Sequence, residues 1–133
     1  NDLSLGYGPS LFTYNSIKKE IIKIWGDGYE RREFIYVDDL AYLCENILKK
    51  KLTGVLNTVS GKSYSYIEII NELEKILGYK VAINNKKRTK EKVNHNFLNK
   101  LHLDMLPNFK YTNLDDGLKK LYSEFKKNID NNE

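Results

Sequence analysis

A single cysteine, Cys44, rules out an internal disulfide and points to a reducing, cytoplasmic setting. Only two prolines, Pro9 and Pro107, and no low-complexity tract leave a globular composition. No run of about eighteen apolar residues exists, so a membrane-spanning helix is excluded and no membrane partner is expected. The opening NDLSLGYGPS has neither a basic n-region nor an apolar h-region, so no secretory signal is visible. P-loop, nucleophile elbow and zinc-ligand spacings are all missing. His95 and His102 stand apart from other strong ligands, so no metal is expected. Gly6-Tyr7-Gly8-Pro9-Ser10 lacks the third glycine of a dinucleotide-binding turn, and Pro9 removes an amide donor, so no cofactor site is expected in this chain. Arginine is scarce too: of 22 Lys and Arg residues, three are arginines, Arg31, Arg32 and Arg88.

What is present suffices for one hydrophobic core within 133 residues, expected as one domain over residues 1–129 with a frayed tail over 130–133. The net charge of +4 is spread over lysines on polar helix faces. Its densest run, NNKKRTKEK from Asn84 to Lys92, contains no aromatic residue to stack on bases, so a nucleic-acid partner is not expected.

The patterning predicts a helix from Ser10 to about Ile22, with Phe12, Ile17 and Ile21 facing inward. Lys23 to Trp25 and Glu33 to Val37 read as strands, which the Gly26-Asp27-Gly28 turn could join as a hairpin. A helix follows, capped by Asp38, with Leu40, Leu43, Cys44, Ile47 and Leu48 on its buried face. Val55 to Val59 reads as a strand. Ser65 and Glu68 have capping-box spacing ahead of the stripe Ile69, Ile70, Leu73, Ile76 and Leu77, which Gly78 ends. Lys80 to Ile83 is extended, and the segment to about Asn96 is irregular. A last helix from near Thr112 buries Leu114, Leu118, Leu121, Tyr122 and Phe125. The class is α/β, with too few strands for a complete Rossmann sheet. Two Tyr-x-x-x-Lys pairs, Tyr14/Lys18 and Tyr122/Lys126, are what chance gives in a chain this rich in both residues.

Tyr7-Gly8-Pro9, Gly26-Asp27-Gly28 and the run Arg32-Glu33-Phe34-Ile35-Tyr36-Val37-Asp38-Asp39-Leu40-Ala41 together resemble the C-terminal half of the NAD-dependent epimerase/dehydratase family. These are the extended short-chain dehydrogenases/reductases that act on nucleotide sugars. The resemblance continues, in the family's order, through Asn57 to Lys62, the helix from Ser65, Arg88, Asn99-Lys100 and Leu114 to Leu118. It implies a small C-terminal substrate-binding portion of such an enzyme, without the NAD(P) turn and the catalytic Tyr-x-x-x-Lys of the N-terminal half. No catalytic residue is then expected in this chain. NAD or NADP would be bound by that absent half, and the chain alone would be inactive.

Position by position, Arg32 matches the arginine that meets the nucleotide diphosphate or its ribose, and Arg88 a second arginine clamping the diphosphate. A guanidinium presents a rigid, always-charged fork to phosphate oxygens, which lysine cannot imitate. The alternative for Arg32 is an ion pair with Glu30 or Asp27. Arg31 has no matched role and is expected to be solvated. The family's asparagine two residues before the tyrosine of Tyr-Gly-Pro is Leu5 here, its Arg-x-Gly-Asp-like element reads Arg88-Thr89-Lys90-Glu91, and a later aspartate gives way to an apolar residue near Phe97. Family members oxidise the sugar at C4 with bound NAD(P), then eliminate water, invert a centre or reduce. The implied partners are a nucleotide-diphosphate sugar and either the missing Rossmann half or a self-association partner on an uncovered sheet edge or apolar face. The alternative is a stand-alone, non-catalytic α/β module that binds an anionic ligand or a protein.

Overall fold

The computed structural model describes residues 6–131, without the side chains of residues 101 and 102. Nine elements follow in order: α1 (Pro9–Ile17), β1 (Ile22–Trp25), β2 (Arg31–Glu33), α2 (Val37–Lys49), β3 (Ser63–Ser65), α3 (Tyr66–Leu77), β4 (Ile83–Lys86), α4 (Lys100–Met105) and α5 (Leu114–Asp130). They fall into two compact units, one of residues 1–30, 65–92 and 113–133, the other of residues 31–64 and 93–112. Leu5 and the last two residues of the expected frayed tail lie outside the described residues.

In the first unit, α1, α3 and α5 pack on one another and α1 packs on β1. Its core is Phe12, Ile22, Ile24, Tyr66, Ile69, Ile70, Leu73 and Leu118, all buried. The rings of Tyr7, Phe12 and Tyr66 meet edge to face with centroids 5.0–5.8 Å apart, a geometry that adds to their area burial. Strand β1 alternates buried Ile22 and Ile24 with exposed Lys23 and Trp25, as a strand with one wet face must.

The expected hairpin is not formed. β1 pairs in parallel with β4, in the register Ile22↔Ile83 to Trp25↔Lys86, whereas β2 pairs with β3. A parallel partner cannot be joined by a tight turn, so Gly26-Asp27-Gly28 leads the chain elsewhere. Helix α1 is shorter than expected, and exposed Ile21 lies beyond its end. The Val55–Val59 stretch carries no strand, and Val55 is 92% exposed.

The start of α3 follows its sequence signal. Ser65 Oγ accepts the Glu68 amide at 3.1 Å, the Glu68 carboxylate accepts the Ser65 amide at 2.6 Å, and Gly78 ends the helix left-handed at φ 76°. With Ser65 buried, Ser65→Ala is expected to cost about 1 kcal/mol, as losses of helix caps typically do. Urea unfolding of the two proteins checks this through a lower midpoint with an unchanged slope.

Candidate functional site

The glycine turn of the first unit is built for close approach. Gly26 and Gly28 have φ of +67° and +76°, where a side chain is strained. A Cβ on Gly26 would lie 2.8 Å from Nε of Arg88, so that guanidinium rests against the turn's backbone. Arg88 Nη1 donates to the buried carboxylate of Glu30, and Nη2 to the Trp25 carbonyl at 3.4 Å. Asn85 Nδ2 donates to the Gly26 carbonyl at 2.7 Å, and the Gly28 carbonyl accepts the Ile67 amide at 3.2 Å, in the first turn of α3. Asp27 accepts the Tyr29 amide at 3.0 Å and pairs with Lys92 at 3.3 Å. The Tyr29 amide above all, and Lys92 beside it, hold the Asp27 carboxyl below its usual value.

Strand β2 of the second unit carries the other two arginines. Arg32 Nη1 donates to the backbone carbonyls of Arg31 and Val93. Arg31 is not solvated as expected: its Nε donates to Ser63 Oγ at 3.2 Å and its Nη2 to the Ser63 carbonyl at 2.5 Å. Segment 93–97 runs against the strand. Asn94 Oδ1 accepts the Arg31 amide at 3.0 Å, and the His95 amide donates to the Arg31 carbonyl at 3.0 Å. Spacing gave no sign of this, because the partners lie 32 to 64 residues away from β2.

Helix α2 corrects two expectations. Its N-cap is Tyr36, with Val37 and Asp38 inside the first turn, so Asp38 does not cap it. An exposed carboxylate there still favours the helix dipole. Its neighbour Asp39 is the buried one, accepting the Thr112 amide at 2.8 Å and the Thr112 hydroxyl at 2.9 Å. Cys44 is exposed, not packed in a core, as are Leu48 and Tyr42; only Asp39 and Leu43 of the helix are buried.

Burial, and next the charges of Asp39 and Glu33, push the Tyr111 hydroxyl up to about 12 from its ordinary 10.0. Between those two pH values the folded chain keeps a proton that the unfolded chain releases. Tyr111 therefore adds stability that is fully present below pH 10 and is lost as pH rises towards 12. Denaturation midpoints at several pH values across that window should fall more steeply for the native chain than for Tyr111→Phe.

The Tyr-x-x-x-Lys pairs sit in packing roles. Tyr14 meets Phe125 edge to face at 5.8 Å, and Lys126 lies over the Tyr122 ring at 5.9 Å. His95 tilts against Phe97 at 5.6 Å, and no metal-holding cluster of His, Cys, Asp or Glu occurs among the described residues. No helix there is long and apolar enough to cross a membrane. At the glycine-rich start of α1, Pro9 occupies the first turn, and the Tyr7 hydroxyl accepts the Trp25 amide at 3.2 Å.

The NAD dependent epimerase/dehydratase family pattern matches residues 10–59. GDP-L-colitose synthase of Yersinia pseudotuberculosis is 41% identical over 66 residues, which make up 47% of this chain and 21% of that protein. Among solved structures, UDP-glucuronic acid 4-epimerase from Bacillus cereus, in complex with UDP-glucuronic acid and NAD, is 26% identical. It superimposes with a TM-score of 0.76, covering 87% of this chain and 38% of its own. UDP-glucose 4-epimerase from Thermotoga maritima, with UDP-glucose, is 25% identical at a TM-score of 0.78, covering 91% and 40%. dTDP-glucose 4,6-dehydratase from Bacillus anthracis, in complex with NAD, shares the fold at 17% identity and a TM-score of 0.80, covering 93% and 43%.

The fold is thus the small α/β portion of an extended short-chain dehydrogenase/reductase, and the chain spans under half the length of each of these relatives. Residues 10–59 match the NAD-dependent epimerase/dehydratase family pattern, and the similarity to these enzymes extends over most of the chain's fold.

Proposed function

We propose that this chain is the nucleotide-sugar-binding portion of an epimerase, 4,6-dehydratase or sugar reductase, with Arg32 and Arg88 as contacts to the diphosphate. The observation that carries the reading is the setting of Arg32. Its guanidinium is oriented by two backbone carbonyls on a strand held from both sides. A fork oriented before the ligand arrives loses less freedom on binding a phosphate. Arg88 is oriented by Glu30, and its remaining donors suit the same chemistry. The relatives with bound UDP-sugars support the ligand class.

NAD(P) and the hydride chemistry belong, in this reading, to residues outside this sequence, and the chain alone turns over no sugar. Exposed Val37, Leu48 and Val55 are suited to cover by that remaining portion or by a second copy. The setting is cytoplasmic. The Glu30 ion pair also favours a second role for Arg88, that of holding the glycine turn.

The test is titration of UDP and dTDP against the native chain and Arg32→Ala. A loss of about tenfold or more in affinity is expected for the variant, corresponding to one charge-assisted contact. Unchanged affinity would remove Arg32 from the site, and turnover of UDP- or dTDP-sugars with NAD by this chain would overturn the division of roles.

A further inference from the structure

Building on the proposed role of Arg32, we infer that Glu33 is its positioning residue, acting through the backbone segments it ties to strand β2. Glu33 Oε1 accepts the Phe97 amide at 2.6 Å, and Oε2 accepts the Gly61 amide at 3.2 Å. One carboxylate therefore fastens β2 to two segments of the chain, 60–62 and 93–97. The second of these carries the Val93 carbonyl that receives Arg32 Nη1. It is held in register by Asn94 and His95 on the backbone of Arg31.

The two segments also close on each other. Asn99 Nδ2 donates to the Ser60 carbonyl at 2.7 Å, and its amide group fills the space over Gly61, where a Cβ would come within 2.7 Å. Gly61 itself is left-handed at φ 74°, so the loop presents its amide to Glu33 in a conformation natural to glycine.

Both partners of Glu33 are N–H donors, and only a carboxylate offers an acceptor oxygen to each. Glutamine has one such oxygen and would turn an NH2 group towards the second amide. The two bonds are exposed, where water competes, so their weight in overall stability is small. Their consequence is placement: with Glu33 removed, segment 93–97 loses its tie at Phe97 and the loop at Gly61 its tie to β2, so the Val93 carbonyl and the Arg32 fork it directs are held less firmly. Misplacement of a binding group by about 1 Å is enough to cost affinity.

The experiment is a double-mutant cycle on UDP affinity, measured by calorimetric titration of the native chain, Glu33→Gln, Arg32→Ala and the double variant. Amide hydrogen exchange at Gly61 and Phe97 is followed in parallel. The inference expects Glu33→Gln to weaken UDP by about threefold to tenfold in the native background and by less than about twofold in the Arg32→Ala background. Exchange at the two amides should quicken, and Glu33→Asp should recover part of the affinity. Equal weakening in both backgrounds, or no weakening at all, overturns the positioning role while leaving Arg32 in the site. If the native chain binds no UDP, the proposed function falls and this role with it. Should Glu33→Gln not fold, Glu33→Ala replaces it in the cycle with the same two outcomes.

Discussion

Replacing Arg88 by alanine is expected to destabilise the chain by about 3–5 kcal/mol, the range seen when one partner of a buried ion pair is removed. Glu30 is 5% exposed and its carboxylate receives Arg88 Nη1. Without the guanidinium, that charge stays buried beside the Gly26 turn with its cation gone. The loss is chiefly the cost of a buried carboxylate deprived of this cation, not the worth of the pair. The double variant Arg88→Ala/Glu30→Gln should therefore recover much of it. Thermal unfolding reads the difference: the single variant should melt roughly 10 °C or more below the native chain, and the double variant between them. Additive losses would show that the pair carries no such coupling. The effect also bears on binding studies, because an affinity lost in Arg88→Ala mixes folding with contact. Arg32→Ala is less subject to that confusion, since its guanidinium donates to the backbone carbonyls of Arg31 and Val93 in a part-buried and an exposed bond and not to a buried carboxylate there.

Gly28→Ala is the second large effect. The residue is buried at φ +76°, and an added Cβ would lie 2.8 Å from Ile24 Cδ1 and from Ile67 Cγ1. Ile24 is fully buried, so it has little room to move. Overpacking of this kind costs about 1–3 kcal/mol, and the left-handed backbone adds about 1 kcal/mol or more for a residue with a side chain. The stiffer unfolded chain returns only about 0.4–1 kcal/mol. The turn would also pull its carbonyl from the Ile67 amide at the start of α3. Equilibrium unfolding in urea should show a midpoint well below the native one. Gly78→Ala is the comparison, since a Cβ there meets nothing within 4 Å. It should cost less, and equal losses at the two glycines would refute the close-packing account of the turn.

How much of this was legible in the sequence depended on how far the cause lay from the residue. The start of α3 was readable because Ser65, Glu68 and Gly78 act within one helix. The resemblance to epimerases and dehydratases was readable because a whole ordered set of short motifs is present in the chain. The pairing of β1 was not: its partner β4 reads Ile-Asn-Asn-Lys, exposed throughout, with no apolar alternation to announce a strand. Backbone bonds to β1 make it one. The Asp38-Asp39 pair misled by a single position. Residue type suggested a cap, but burial and Thr112, 73 residues beyond Asp39, select the second aspartate for structural work. Arg31 looked unassigned because Ser63 lies 32 residues on. Cys44 and Leu48 keep the spacing of a buried face, yet the described residues leave them exposed.

The most direct test of the central claim, that this chain recognises the diphosphate of a nucleotide sugar through a prearranged arginine, is calorimetric titration of UDP and dTDP into the native chain and Arg32→Ala under identical salt. The account predicts saturable binding by the native chain and affinity at least about tenfold weaker in the variant, about 1.4 kcal/mol or more. Equal affinity of the two proteins, with both folded, would contradict it.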